Sequence, residues 1–156
     1  MIKGNDTIAA ICSGLTNSGI SVIRVSGEDA LKVVVKIAFA KREDFDLINT
    51  RTYTAHLAKI VDPKDGTLID EGLVLYMKGP KSYTGEDVVE LQLHGGVYVA
   101  NRVLNLLLKY GCRLAEPGEY TKRAFLNGKL DMAMAEAVMN VISAQNEYAL
   151  RSSVQP

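Results

Sequence analysis

The sequence predicts an α+β domain: a mixed β-sheet with packed helices. Three observations lead there. Short runs of strand length, apolar or alternating, recur from Thr7 to Leu93. Helical periods are intermixed with them instead of following each strand in turn, as a parallel α/β fold would require. A Pro and an Asp-Gly pair between two strand-like runs mark at least one hairpin, so some strands are antiparallel.

The elements follow in order. "TIAAIC", Thr7 to Cys12, is a short apolar strand, and the loop "SGLTNSG" follows it. "ISVIRV", Ile20 to Val25, is a second strand closed by Ser26-Gly27, with Arg24 among apolar neighbours. "GEDALKVVVKIAFAK" carries Leu31, Val34, Val35 and Ala38 at a helical period, with Glu28 and Asp29 where a helix dipole favours acids. Residues 42 to 51 are a polar link. "TYTAHLAKIV" alternates with period two, "EGLVLYMKG" is strand-like, and "DPKDGTLID" between them is the hairpin. Val88 to Leu93 is the next strand. Gly96 to Lys109 is an amphipathic helix stopped by Gly111. A short extended piece leads to a short helix from Pro117, and Asp131 to Ser152 form a long helix capped by Asp131 or Asn127. Met132, Met134, Ala135, Val138, Met139, Val141 and Ile142 give that helix a broad apolar face. It packs back on the domain, pairs with another chain, or meets a continuation of the protein; the last is the leading expectation.

Composition sets bounds. The 156 residues suit about one domain. Lys+Arg equals Asp+Glu, so any nucleic-acid contact needs a local patch or another domain. Cys12 and Cys112 have no metal spacing and read as buried, inert, reduced thiols. No run reaches membrane-span length, and a cytoplasmic protein is expected. There is no GxxxxGK[ST], GxGxxG, CxxC or HExxH pattern, no legible Ser-His-Asp order and no metal set, so neither catalytic residues nor metal ligands are assigned.

Polar residues on strands are the better functional signal. Glu90, Gln92 and His94 share one side of their strand, and Val89, Leu91 and Leu93 take the core side. That polar side is either a solvated face or the floor of a ligand cleft. Arg24 is either a strand-end salt-bridge partner or a ligand cation. A carboxylate and a guanidinium together suit an amino-pyrimidine edge and an anionic tail. Gly95-Gly96 is a plain strand-to-helix turn or a place where helix amides hold an anion. In "EPGEYTKRAFLNGKLD", Lys122, Arg123 and Lys129 among Tyr120, Phe125 and Leu126 are solvated bases or a phosphate- or carboxylate-binding corner. Tyr53 and Tyr83 read as partial core.

"SYTGEDVVELQLHGG", "RLAEPGEYTKRAFLNGKLD" and "AEAVMNVISAQ" together resemble the N-terminal part of the tRNA-modification GTPases called MnmE or TrmE. "DTIAAI" and "GISVIRVSG" fit the same family, and the similarity runs from Asp6 to about Ser153. The resemblance implies a domain that binds a reduced folate, usually 5-formyltetrahydrofolate, is related in fold to the folate-binding domain of aminomethyltransferases, and forms a homodimer. It implies a folate and dimerisation domain over 1–118 and the start of an all-helical domain over 119–156, with GTP, Mg and K confined to a GTPase domain absent from this sequence. It further implies a flavin-containing MnmG-type partner and carboxymethylaminomethyl modification of the tRNA wobble uridine. The family's folate-site residues match Arg24 in "VIRVSG", Glu90 in "VELQ" and Lys129 in "NGKLD". Its "PPGRGG"-like loop is replaced here by "SGLTNSG", Ser13 to Gly19. The alternative is a free-standing folate-dependent one-carbon transferase of the aminomethyltransferase type.

Overall fold

A computed structural model describes residues 6–13 and 19–154, with side chains through residue 148. The replaced loop therefore lies mostly outside the described residues. Seven strands form one mixed sheet: β1 (Ile8–Ile11), β2 (Ser21–Ser26), β3 (Ala38–Ala40), β4 (Thr54–Val61), β5 (Leu68–Met77), β6 (Val88–Leu93) and β7 (Arg113–Leu114), in the order β3-β4-β5-β6-β2-β1-β7. Every ladder is antiparallel except β1–β7. The helices are α1 (Ala30–Val34), α2 (Gly96–Lys109), α3 (Glu119–Leu126) and α4 (Met132–Val154). An α+β fold with a mixed sheet is thus what the chain adopts.

Alternation sorts each strand's residues onto two faces. Ile23, Val25, Val89, Leu91, Leu93, Val74, Tyr76, Ala58 and Ile60 turn to one face. There they bury against Val33 and Val34 of α1 and Val103, Leu106 and Leu107 of α2. Directly opposed residues share a face. The other face therefore carries a row of Arg24, Glu90, Leu75 and Ala55, and beside it a row of Val22, Gln92, Leu73 and Leu57. Neither α1 nor α2 covers these rows.

The helix expected around "ALKVVVKIAFAK" is a correction. Only Ala30–Val34 is helical, and Ala38–Ala40 form the edge strand β3. The helix ends in a turn over residues 35–37, and β4 offers a partner ladder that pairs Ala38 with Ile60 and Ala40 with Ala58. Local periodicity lost to tertiary pairing. The hairpin is as expected: Asp62 N–H donates to Thr67 O at 2.9 Å between β4 and β5. Asp131 caps α4, accepting from Met134 N–H at 2.7 Å.

Part of the apolar face of α4 packs back. Ala135 is buried, and a side chain on Gly118, with φ +77°, would run into Met139 Sδ. Met132, Met134 and Val141 stay exposed.

Arg123 is the second correction. It is no solvated base: its side chain is 5% exposed. Its guanidinium meets Asp6 Oδ1 at 3.0 Å, Glu86 Oε1 at 3.0 Å and Glu119 Oε2 at 3.2 Å. Arg113 completes the cluster, reaching Asp6 Oδ2 at 2.7 Å and Glu119 Oε2 at 2.6 Å. Ser26 Oγ donates to Glu86 Oε1 at 2.8 Å and pairs with Thr84 Oγ1 at 2.8 Å. These bonds tie α3 to the sheet and to the loop before β6.

Two of the cluster's carboxyls, Asp6 and Glu119, hold their charge more firmly than free carboxyls do. Hydrogen bonding from Arg113 keeps Asp6 below its usual value. Burial works against Glu119, but hydrogen bonds from Arg113 and the Glu116 amide outweigh it, and its value too is lowered. Folded values below the unfolded ones stabilise the fold above the unfolded value of about 4, and the gain vanishes as pH falls through the folded values. Urea unfolding should therefore show stability dropping as pH falls below about 4. Near neutral pH, Arg123→Ala should cost about 3–5 kcal/mol, because it strands buried carboxylates. Lys122→Ala, at an exposed site, should stay within about 0.5 kcal/mol of wild type.

Candidate functional site

Arg24 on β2 and Glu90 on β6 are cross-strand partners. The register alone sets their side chains together on the open face. Arg24 Nε lies 3.0 Å and Nη2 2.9 Å from the same oxygen, Glu90 Oε2. The side chains are 28% and 19% exposed, so the pair is neither sealed nor freely solvated. Two tyrosines frame it. The Arg24 guanidinium carbon lies 5.5 Å from the Tyr120 ring centre and 5.7 Å from that of Tyr83, within cation–π range. Tyr120 Oη donates to Arg24 O at 2.6 Å, and Tyr83 Oη pairs with Thr121 Oγ1 at 2.9 Å. Burial raises the Tyr120 phenol well above its usual value, so it stays a donor.

Lys129 does not join this pair directly. It follows α3 and lines a neighbouring groove with Tyr53, Met77, Lys81, Ser82 and Tyr83. Tyr83 thus touches both places. The approach there is close: Gly85 has φ +82°, and a Cβ on it would lie 2.8 Å from Asn127 Cβ. Tyr53 and Tyr83 are 60% and 41% exposed, which corrects the expectation of partial core.

The remaining expectations divide. Gln92 shares the open face with Glu90, whereas His94 lies beyond the strand end and is exposed, its Nδ1 3.1 Å from Glu71 O. The amides before α2 do not face an open anion site. Asp70 Oδ2 accepts from His94 N–H at 2.8 Å and Gly95 N–H at 3.2 Å, so the chain's own carboxylate sits there. Cys112 is buried, and burial pushes its thiol up to about 12, in line with an inert thiol. Cys12 is exposed, against expectation, because it follows β1 where the strand leaves the core.

Sequence reasoning missed the roles of Tyr83, Tyr120, Asp6 and Asp70. A tyrosine's apolar body reads as core in one dimension, and only the placement of Arg24 against the rings distinguishes them. Asp70 looked like hairpin punctuation. The one available signal was that a helix opening on Gly95-Gly96 lacks a capping side chain of its own. Among the described residues, no three His, Cys, Asp or Glu side chains are grouped to hold a metal ion, and no helix is long and apolar enough to cross a membrane.

The model of the family described as GTP-binding protein TrmE N-terminus matches residues 7–129, which include Arg24, Glu90 and Lys129. Three relatives are each named tRNA modification GTPase MnmE. The protein from Carboxydothermus hydrogenoformans is 53% identical over 94% of this chain and 32% of its own length. Those from Lachnoclostridium phytofermentans and Moorella thermoacetica are each 49% identical over 96% of this chain and 32% of their own length. The chain belongs to this family and spans about a third of the length of these curated relatives.

The Asp70 cap makes a direct prediction. Asp70→Ala leaves two helix-end amides without their acceptor and should cost about 1 kcal/mol in urea unfolding, with Asp70→Asn recovering part of the loss.

Proposed function

We propose that this chain, a member of the TrmE family, is the folate-binding and dimerisation module of a tRNA modification GTPase. Its ligand is 5-formyltetrahydrofolate or a related reduced folate. Arg24, Glu90 and Lys129 are its binding residues, on a fold related to the folate domain of aminomethyltransferases. The observation that carries the reading is the Arg24–Glu90 pair on an uncovered sheet face beneath two tyrosine rings. Both guanidinium contacts fall on Oε2. Oε1 is free of Arg24, and Oε2 can accept a further hydrogen bond on its second lone pair, so the carboxylate can take the paired N–H donors of an amino-pyrimidine edge. The rings offer flat apolar walls for a heterocycle.

The rest of the proposal concerns the whole protein. The GTPase activity, with GTP, Mg and K, resides in another domain. The protein acts in the cytoplasm with a flavin-containing MnmG-type partner on the tRNA wobble uridine. Residues 1–118 form the folate and dimer domain, and 119–156 begin the helical one. A free-standing one-carbon transferase is not favoured, because the family match and the relatives are tRNA modification GTPases.

Titration calorimetry with 5-formyltetrahydrofolate tests the site. Removing a hydrogen-bonded charge costs about 1.5–3 kcal/mol, so Glu90→Gln and Arg24→Lys should each bind roughly ten- to a hundredfold more weakly. Circular dichroism checks that both remain folded. Wild-type affinity in both folded variants would move the site elsewhere. Light scattering tests the dimer. Exposed Leu57 on the open sheet face and Met134 and Val141 on α4 supply apolar surface for an isologous contact. A dimer of the 17.0 kDa chain is expected at tens of micromolar, and a monomer with folate present would contradict it.

A further inference from the structure

We infer that the outer face of α2, joined by the end of α1, is a contact surface for the phosphate backbone of RNA. The inference rests on the reading that the whole protein works on tRNA. It goes beyond that reading by assigning RNA contact to a face of this chain across the sheet from the Arg24–Glu90 pair.

A chain whose basic and acidic residues balance needs a local patch for such a contact. The basic stretch of α3 does not supply it, because Arg123 is taken up by the ion cluster. α2 does. Its 14 residues include no Asp or Glu. Ala100, Val103, Leu106 and Leu107 face the core, and Tyr98, Asn101, Arg102, Asn105 and Lys109 fall on the outside at helical spacing. Tyr98 is 74% exposed. With Leu106, these five residues line a shallow groove of about 380 Å³. α1 adds charge at one end. Lys36, just after it, donates from Nζ to Tyr110 O at 2.9 Å, and Lys109 Nζ lies 5.5 Å from the Tyr110 ring centre. Both lysines are exposed, as is Lys32 on α1. Among the described residues, no carboxylate lies within ion-pair distance of Lys32, Lys36 or Lys109. Arg102 meets Asp62 Oδ2 at 3.6 Å, a single loose contact that leaves its other donors open.

The needs of the fold account for part of this pattern. A helix C-terminus favours cations, which explains Lys36 and Lys109 beside Tyr110. It does not explain Arg102 and two asparagines in mid-helix. Asparagine is a poor helix former, and among the described residues neither Asn101 nor Asn105 bonds a partner outside the helix; Asn101 Nδ2 donates to Val97 O at 3.0 Å. Lysine, arginine, asparagine and tyrosine are the side chains that bond phosphate and sugar oxygens, and an exposed tyrosine ring can stack on an unpaired base. Arg102 and Lys109 stand about 10 Å apart along the helix axis, two turns, so they meet separate phosphates. An acidic protein would satisfy the charges but has less use for amide donors and an aromatic platform in the same stripe.

The test is fluorescence anisotropy of a labelled, unmodified tRNA transcript with a wobble uridine, titrated with this chain at about 50 and 200 mM salt. Asn105→Glu puts an acid in the middle of the stripe, and Lys36→Ala/Lys109→Ala removes two cations. Lys59→Ala, exposed on the open sheet face, is the control. Circular dichroism confirms each fold. Wild type binds at the lower salt and weakens roughly tenfold or more at the higher. The double variant lowers the salt slope by about 2, and both stripe variants bind roughly tenfold more weakly, whereas Lys59→Ala binds as wild type does. No binding at the lower salt, salt-insensitive binding, or a loss no greater in the stripe variants than in the control overturns the inference. Displacement by polyglutamate as readily as by unlabelled tRNA marks an acidic-protein surface and overturns it too. A parallel titration with 5-formyltetrahydrofolate keeps the readings apart. Folate binding without tRNA binding removes this inference alone, and tRNA binding without folate binding removes the folate site alone.

Discussion

The buried charge of Arg123 is the constraint on which the rest of the structure depends. A guanidinium almost removed from water must be paired and hydrogen-bonded all round. Its partners come from distant parts of the chain: Asp6 before β1, Glu86 before β6, and Glu119 one turn earlier on α3. Satisfying one side chain therefore fixes three segments at once. Arg113 extends the arrangement into β7, the strand that adds the sheet's parallel ladder. With α3 docked in this way, Tyr120 stands over Arg24. With the loop before β6 clamped, Tyr83 stands beside it.

The two arginine clusters show how hydration separates roles. Arg123 and Arg24 both pair with glutamates at about hydrogen-bond distance, yet they differ in what surrounds them. Arg123 uses its donors on several protein acceptors and has little contact with water. Arg24 spends two donors on one carboxylate oxygen and remains partly exposed. The first arrangement holds a fold together; the second leaves acceptors and donors partly open to solvent. The sheet's uncovered face makes that difference possible. Helices α1 and α2 bury only the other side, so the rows running from Arg24 and Val22 toward β4 keep access to solvent.

Helix ends tell a similar story. A pair of glycines ahead of a helix can present free amides to an anion. At α2 that capacity is already used by Asp70, reaching across from β5. The interaction steadies the junction between β6 and α2 and leaves these amides already satisfied.

The sequence by itself determined the fold class, most strand and helix positions, the hairpin, and that Asp131 or Asn127 caps the last helix; the structure chose Asp131. These depend on periodicity and turn chemistry, which are local. It also determined that Glu90 and Gln92 share a face opposite Val89 and Leu91, since alternation follows from strand geometry alone. The motifs carried the family, and through it the choice of Arg24, Glu90 and Lys129. Only the tertiary structure decided which polar residues meet. Arg24 and Glu90 lie 66 positions apart, and their contact comes from the register of β2 against β6. Arg123 and Lys122 are neighbours with similar charge, but the helix turns one into the ion cluster and leaves the other in water. The edge strand β3 displaced a helical period because β4 had unpaired backbone to offer. In each case the deciding term was a long-range partner, and a one-dimensional pattern carries no information about where that partner will stand.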